Sequence, residues 1–227
     1  MKHTAIIANA AIFTIIFLLG SCSTTPQPKP VSVDLSSPKY TMGTAEVQLE
    51  GFFSFGRLRK HNFNISYYPD DDVVCLEYRI DFVNHFLFLD SAGRGAFINA
   101  LYKYKDDYEQ RNLVSGKRAT RRAYGKTPGL LIWGAFQIAG QGRSHPLLEL
   151  GYSFKEKAPY FTLTMPEAEN VSEVTGDKTR TSNTQFFYFT RAQADALTDM
   201  FEPENINNFR RSMGIENKST DITPDIW

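Results

Sequence analysis

Apolar and polar residues alternate along much of the first half of the chain, which is the pattern of strands with one buried face. The clearest alternation places five apolar side chains on one side of a single strand: Val74, Leu76, Tyr78, Ile80 and Phe82. Similar alternation over 47–55 and 63–67, with a short apolar run at 86–89, raises the predicted number of strands to four. The pattern predicts an antiparallel sheet with one face in the core and the other in water.

A helix is predicted after the fourth strand, ending near Arg111. Asp90 and Ser91 offer side-chain oxygens that can cap its first turn. Within it, apolar residues recur at helical spacing and form one stripe: Phe97, Ala100, Leu101, Tyr104 and Tyr108. We expect this stripe to cover the apolar face of the sheet in its own half of the chain.

The second half of the chain repeats this order of elements. Strands are predicted at 130–138, 147–154, 160–165 and 186–189, a polar loop at 166–182, and helices at 192–201 and 206–213. The two strand-to-helix junctions align without gaps, residues 86–92 matching residues 186–192, and Phe97 falls opposite Leu197. We therefore predict an α+β fold of antiparallel sheets with covering helices, in which two units of about four strands and one helix are duplicated.

The order of elements in these two units resembles that of PUR-repeat and Whirly-type proteins, which pair two units of four strands and a helix. The resemblance lies in element order only, since none of their sequence motifs is present, so their nucleic-acid binding is not implied. The chain also has 25 basic and 25 acidic residues, a formal net charge of zero. Such a balance lacks the positive field that drives non-specific nucleic-acid binding, and we expect no nucleic-acid partner.

The N-terminus has the features of a secretory signal. Lys2 precedes an apolar run over 5–19, which is shorter than the roughly 20 residues of a transmembrane helix. The run ends in Leu19-Gly20-Ser21-Cys22, which resembles the lipobox of bacterial lipoproteins. The resemblance implies cleavage before Cys22, acyl groups such as palmitate on Cys22, and a membrane-anchored cell-envelope protein. The alternative is an ordinary cleaved signal in which Cys22 is incidental.

Ser23 follows the lipobox, and in enterobacteria-like sorting a residue other than Asp there favours the outer membrane over the inner membrane; the leaflet stays open. Residues 23–40 are rich in Pro, Ser and Thr, which predicts an extended tether. We therefore expect the chain to divide as follows: a signal peptide at 1–21, a lipidated flexible tether at 22–40, sheet-plus-helix units at 41–114 and 115–214, and a polar tail at 215–227.

With Cys22 lipidated, Cys75 has no partner within the chain, so the fold is expected to form without a disulfide. Cys75 lies on the polar side of its strand, and we expect a half-buried, inert thiol. The mature histidines His61, His85 and His145 lack the spacing of metal ligands, and no metal or other cofactor is predicted. Ser144, which precedes His145, lacks the surrounding pattern of a catalytic nucleophile.

One basic cluster is the candidate site for an anionic ligand: Lys117, Arg118, Arg121, Arg122 and Lys126. Taken alone, it could hold an anionic glycan, a lipid head group or a nucleic acid. In an alternating strand, however, Arg121 and Arg122 would point to opposite sides, so a solvated hairpin is the competing interpretation. The turn at 90–95 contains glycines that would admit a phosphate, but an ordinary helix cap explains it.

The sequence leaves three functions open. The first is a non-enzymatic binding or scaffolding domain on the envelope, with an envelope protein or a glycan as its partner. The second is an envelope hydrolase whose site assembles from distant residues, and the third is a surface adhesin that uses the basic cluster. Because no catalytic constellation is present in the sequence, we favour the first and assign no catalytic residue.

Overall fold

The computed structural model describes residues 29–50, 57–115, 118–134, 142–172 and 181–215. The lipobox, Lys117 and the tail after 215 lie outside these residues. Within them the fold is α+β and dominated by antiparallel sheet, as predicted. None of the described helices combines the length and apolarity that crossing a membrane requires.

The elements follow one another in an order close to the predicted one. The strands are β1 (Tyr40–Glu50), β2 (Leu58–Tyr68), β3 (Val73–Ile80), β4 (Val83–Leu89), β5 (Gly125–Pro128), β6 (Leu130–Gly134), β7 (Gly142–Ser144), β8 (Leu147–Lys155), β9 (Ala158–Met165), β10 (Ala168–Glu169), β11 (Thr181–Ser182) and β12 (Gln185–Phe189). The helices are α1 (Ser91–Glu109), α2 (Arg191–Phe201) and α3 (Pro203–Ser212), with a short 3₁₀ helix at Arg118–Arg122.

Ten of these strands form one curled sheet, in the order β5-β8-β9-β12-β1-β2-β3-β4-β6-β7. Only Gly129 separates β5 from β6, and only residues 145–146 separate β7 from β8. The backbone N–H of Gly129 donates to the carbonyl oxygen of Pro146 at 3.0 Å, in register with the pairs on either side. The segment that forms β5 and β6 and the segment that forms β7 and β8 therefore pair with each other at both ends of the sheet. The sheet curls back toward itself.

Each half of the sheet has a row of paired, buried residues that crosses four neighbouring strands. The two rows are Ile65-Leu76-Leu87-Leu131 and Leu150-Leu163-Phe187-Leu49. Leu87 and Phe187 each hold the third place, and the same shift aligns residues 86–92 with 186–192 in the sequence.

Strands β1 and β5 each contain a glycine with a positive φ angle. Gly43 pairs with Ile65 and Gly125 pairs with Leu150, the first residues of the two rows. Both have positive φ angles, +153° at Gly43 and +126° at Gly125. A side chain would strain the backbone in this conformation, which explains a glycine at each site.

Helix α1 has the predicted cap and α2 has a similar one, but α1 packs differently from the prediction. The side chains of Asp90 and Thr190 accept backbone N–H groups in the first turns of α1 and α2. The ring of Phe97 in α1 contacts Phe161 of β9 and Phe189 of β12, with centroids 5.1 and 5.8 Å apart. We expected α1 to cover the sheet of its own half. Instead it lies on strands of the second half, because the curled sheet brings those strands beneath it.

The outer face of β3, β4 and β6 carries a second apolar cluster, which the segment before β1 covers. Its buried members are Val31, Tyr68, Val73, Cys75, Phe86, Phe88, Leu130 and Ile132. Val31 is 2% exposed, and Val33 and Leu35 pack against the cluster. The prediction of a flexible tether is therefore wrong over 31–35, where every second residue is apolar and packs against the sheet.

Cys75 is buried rather than half-buried, because this segment covers the face on which it lies. The side chain is 3% exposed, and burial raises the pKa of the thiol. A protonated, inaccessible thiol is inert, which agrees with the predicted lack of reactivity.

Candidate ligand-binding cleft

A cleft of about 1040 Å³ opens at one end of the curled sheet. It is bordered by the end of β1, the start of β2, the turn between β3 and β4, and the segment joining β11 to β12. Its volume lies at the upper end of the range for small-molecule sites in proteins. Strands from both halves of the chain contribute, so the cleft exists only in the assembled fold.

The floor of the cleft is apolar. Leu49 and Leu131 line it, and both are almost completely buried members of the main core. Leu49 pairs with Phe187 and Leu131 pairs with Leu87, so the floor lies where β1 and β6 meet the core. Trp133 and Phe186, each half-buried, extend the apolar lining toward solvent.

A buried hydrogen bond between Tyr78 and Gln185 supports one wall of the cleft. The hydroxyl of Tyr78 donates to Oε1 of Gln185 at 2.5 Å, and the Tyr78 ring stacks on His85 with centroids 5.1 Å apart. Gln185 lines the cleft, and this bond leaves its amide N–H groups to serve as donors.

His85 is neutral at physiological pH. Burial lowers the pKa of its imidazole to about 4, although a hydrogen bond with the carbonyl oxygen of Val83 acts in the opposite direction. The Nδ1 atom lies 3.1 Å from that carbonyl oxygen, which can only accept, so the proton is assigned to Nδ1. The Nε2 atom is then an acceptor. The imidazole can bind a donor but carries no charge.

The neighbouring wall carries Arg59, His61 and Asp81. Burial, and then the charge of Arg59, lower the pKa of His61, so this imidazole is also mostly neutral at pH 7. Arg59 is exposed, and no carboxylate of the described chain forms an ion pair with it. Its guanidinium is therefore a cation that is available to a ligand.

Arg121 is a second cation of the lining, and its neighbours hold it in place. Its guanidinium carbon lies 4.4 Å from the centroid of the Phe186 ring, and its Nη2 donates to the Tyr188 hydroxyl at 3.3 Å. Tyr188 donates in turn to Glu50 at 2.7 Å, and Lys155 forms an ion pair with Glu50 at 2.8 Å. This network orients Arg121 before any ligand binds.

Glu50 stays ionised within this network. Burial acts to raise the pKa of its carboxyl, but the hydrogen bonds from Lys155 and Tyr188 and the charges of Lys155 and Arg121 outweigh burial and lower it. The negative charge of Glu50 is thus balanced by Lys155.

The structure separates the predicted basic cluster. Arg121 reaches the cleft, Arg122 is exposed, and Lys126 forms an ion pair with Glu149 at 2.8 Å. Arg118 starts the 3₁₀ helix, a conformation that the alternating-strand interpretation did not predict. Only Arg121 of the described side chains in this cluster lines the cleft, so the anionic-ligand prediction continues with Arg121 and with residues that the sequence did not indicate.

Sequence reasoning missed Arg59 and Trp133, and did not connect His61 with His85. These residues come from three strands that lie far apart along the chain, β2, β4 and β6, and no spacing between them signals a shared site. The available signal was indirect: each lies near the end of a strand, and strand ends on one side of a sheet lie near each other.

Other sequence candidates have structural explanations. Ser144 is fully buried whereas the adjacent His145 is exposed, so the two side chains point to opposite sides. In the turn at 90–95, the N–H of Gly93 is bonded to the Asp90 side chain, as an ordinary cap requires. No cluster of three or more metal-ligating side chains occurs in the described ranges.

Comparison with known proteins places the folded body in a family. A family model described as an uncharacterised Treponema protein matches residues 33–208, well over half of the chain. The chain belongs to this family. The match begins in the segment that covers the outer face and ends in α3, so it coincides with the folded body.

The chain is also similar to an uncharacterized protein of Treponema pallidum (strain Nichols), with 27% identity over 103 residues. The aligned stretch covers 45% of this chain and only 37% of that relative. No solved structure matches the chain. The PUR and Whirly resemblance therefore stays a prediction about element order.

Proposed function

We propose that this Treponema-family chain is a lipid-anchored protein of the cell envelope whose folded body binds a ligand in the cleft without catalysing a reaction. The cleft is the observation that carries the proposal, because it joins a buried apolar floor to polar walls. That combination is typical of small-molecule binding sites.

The polar groups of the cleft support binding rather than hydrolysis. Glu50 is bound to Lys155 and Tyr188, and His85 is bound to a backbone carbonyl. No serine or threonine hydroxyl in the described lining donates to an imidazole or carboxylate of the cleft, which a nucleophile activated by a base would require. Carboxylates and imidazoles that are already engaged are suited to fixing the shape of a site.

An envelope location is supported by Leu19-Gly20-Ser21-Cys22, which resembles a lipobox. We propose an anchor at Cys22, with the outer membrane favoured by Ser23. Acyl groups on Cys22 would hold the body within reach of the membrane, because at most nine residue steps join Cys22 to the docked Val31, about 30 Å when fully extended.

The proposal includes an internal duplication of the sheet-plus-helix unit. Its support is the row of paired residues in each half of the sheet, the positive φ angles of Gly43 and Gly125, and the similar caps at Asp90 and Thr190. Because each helix packs on strands of the other half, the two units are expected to fold together.

Replacing Cys22 by alanine is expected to abolish acyl labelling and to release the protein from the membrane fraction. The reason is that the sulfur of Cys22 would form the proposed thioether. Stable membrane binding needs more than one acyl chain. Metabolic labelling with a tagged palmitate and detergent partitioning measure both. The buried Cys75, changed to alanine, is the control and should keep full labelling. An acylated Cys22→Ala protein would contradict the anchor.

A photoreactive amino acid at Asn183 is expected to form an adduct in intact cells. Asn183 is exposed and lines the cleft, so a bound molecule should lie within reach of it. Lys103, exposed on α1 and outside the cleft lining, is the control position. The intact mass of each purified variant shows whether an adduct has formed at that position. Equal labelling at the two positions, or none at Asn183, would count against a ligand in the cleft.

A further inference from the structure

From the lining of the cleft we infer that its ligand is an amphiphilic anion, an acyl chain that carries one carboxylate or phosphate head group. The inference rests on the proposed function, because it names the chemistry of a ligand for that same cleft. Three features carry it: the apolar floor, the balance of charge on the walls, and the apolar side chain at the mouth.

The apolar part of the ligand is indicated by the floor. Leu49 and Leu131 belong to the main core and yet line the cleft, so a ligand that enters fully meets core leucines. Trp133 and Phe186 continue this surface toward the rim. A polar ligand such as a sugar would lose its hydration at the floor without gaining hydrogen bonds, whereas a hydrocarbon chain gains from burial.

The single anionic head group is indicated by the charges. Arg59 has no carboxylate partner in the described structure, and Arg121 faces the cleft on a fixed ring. Lys155 balances Glu50, and Asp81 is the other acidic residue of the described lining. Among the described residues in and next to the lining, Arg59, Arg121 and Lys155 exceed Glu50 and Asp81 by one positive charge, which matches one carboxylate or phosphate group and disfavours a cation.

The mouth of the cleft carries an apolar side chain that faces solvent. Phe82 is 80% exposed in the turn between β3 and β4, and its neighbours Asp81 and Val83 line the cleft. The Arg79 guanidinium carbon lies 5.9 Å from the centroid of its ring. An exposed aromatic ring beside a basic side chain suits contact with a lipid surface, the source from which a poorly soluble acyl anion would be taken up.

The test measures displacement of a fluorescent acyl carboxylate, 11-dansylaminoundecanoate, from the full chain carrying Cys22→Ala, so that no covalently attached acyl chain competes. Palmitate and a lysophosphatidate represent the carboxylate and phosphate sources. Hexadecanol has the chain without the charge, and acetate and inorganic phosphate have the charge without the chain. We expect displacement by palmitate, by the lysophosphatidate, or by both, with hexadecanol at least about tenfold weaker and the small anions inactive.

Arg59→Gln is expected to weaken binding of the effective acyl anion by about tenfold and to leave hexadecanol unchanged, because it removes one charge-assisted contact. Arg59 is exposed, so the variant should fold normally. Arg122→Gln is the matched control, since Arg122 is exposed and lies outside the described lining.

Three results would overturn the inference: equal displacement by hexadecanol, displacement by the small anions alone, or equal affinity in the wild type and in Arg59→Gln. An adduct at Asn183 obtained together with any of these would leave a ligand in the cleft but exclude an amphiphilic anion. Absence of both the adduct and acyl binding would remove the proposed function itself.

Discussion

Truncating Phe97 to alanine is expected to lower the free energy of unfolding by about 3–5 kcal/mol, and truncating Leu197 by about 2–5 kcal/mol. Phe97 is 1% exposed and Leu197 is fully buried. The Phe97 ring contacts aromatic rings from β9, β12 and α2, so its removal leaves a cavity in the main core. Urea unfolding followed by circular dichroism measures both variants.

Lys103→Ala is the control for this experiment, because Lys103 is exposed on the same helix as Phe97 and should change stability by no more than about 0.5 kcal/mol. The wild type and both truncated variants should also unfold in one transition, since α1 packs on strands of the second half. A loss below about 1 kcal/mol, or separate transitions for the two halves, would contradict the packing that we describe.

The protein is expected to lose about 2 kcal/mol of stability through His85 when the pH falls from 7.5 to 5. The folded pKa of His85 is about 4, against an ordinary value of 6.5. A depressed pKa means that the unfolded chain binds a proton that the folded chain does not. The contribution is therefore fully present above pH 6.5 and is lost as the pH falls toward 4.

The variant His85→Phe isolates this contribution, because it keeps an aromatic ring against Tyr78 and removes the titrating group. His61 and His145 also have lowered pKa values and act in the same direction, so the difference between the wild type and His85→Phe is the quantity to measure. Urea unfolding at pH 7.5 and at pH 5 provides it. An unchanged pH dependence in His85→Phe would show that His85 titrates normally in the folded chain.

Several elements were predictable from the sequence because local forces determine them. The sequence of β3 alternates apolar and polar residues as a strand does, and α1 begins at an Asp90 cap and carries a helical stripe that includes Phe97. The alignment of Leu87 with Phe187 rests on the sequence of the two junctions, and the duplication that it indicates stays a proposal. The short 3₁₀ helix was missed, because five residues carry too little periodicity to distinguish a turn of helix from a strand.

The cleft was not predictable, because its residues come together only through the pairing of distant strands. Leu49 meets Phe187, and His85 meets Trp133, across the sheet, and no local pattern specifies either pairing. The same reason explains why the segment at 31–35 resembled a tether: its apolar residues acquire a partner only when β3, β4 and β6 lie side by side.

The sequence by itself determined the sheet-and-helix character of the chain and the positions of most strands and helices, since periodicity, caps and turn residues act within a few positions. Only the tertiary structure decided that α1 crosses to the second half, that Cys75 is buried, and that Arg59 and Arg121 line one cleft. These outcomes depend on strand order and on the curl of the sheet, which arise from hydrogen bonds and burial between residues far apart in the chain.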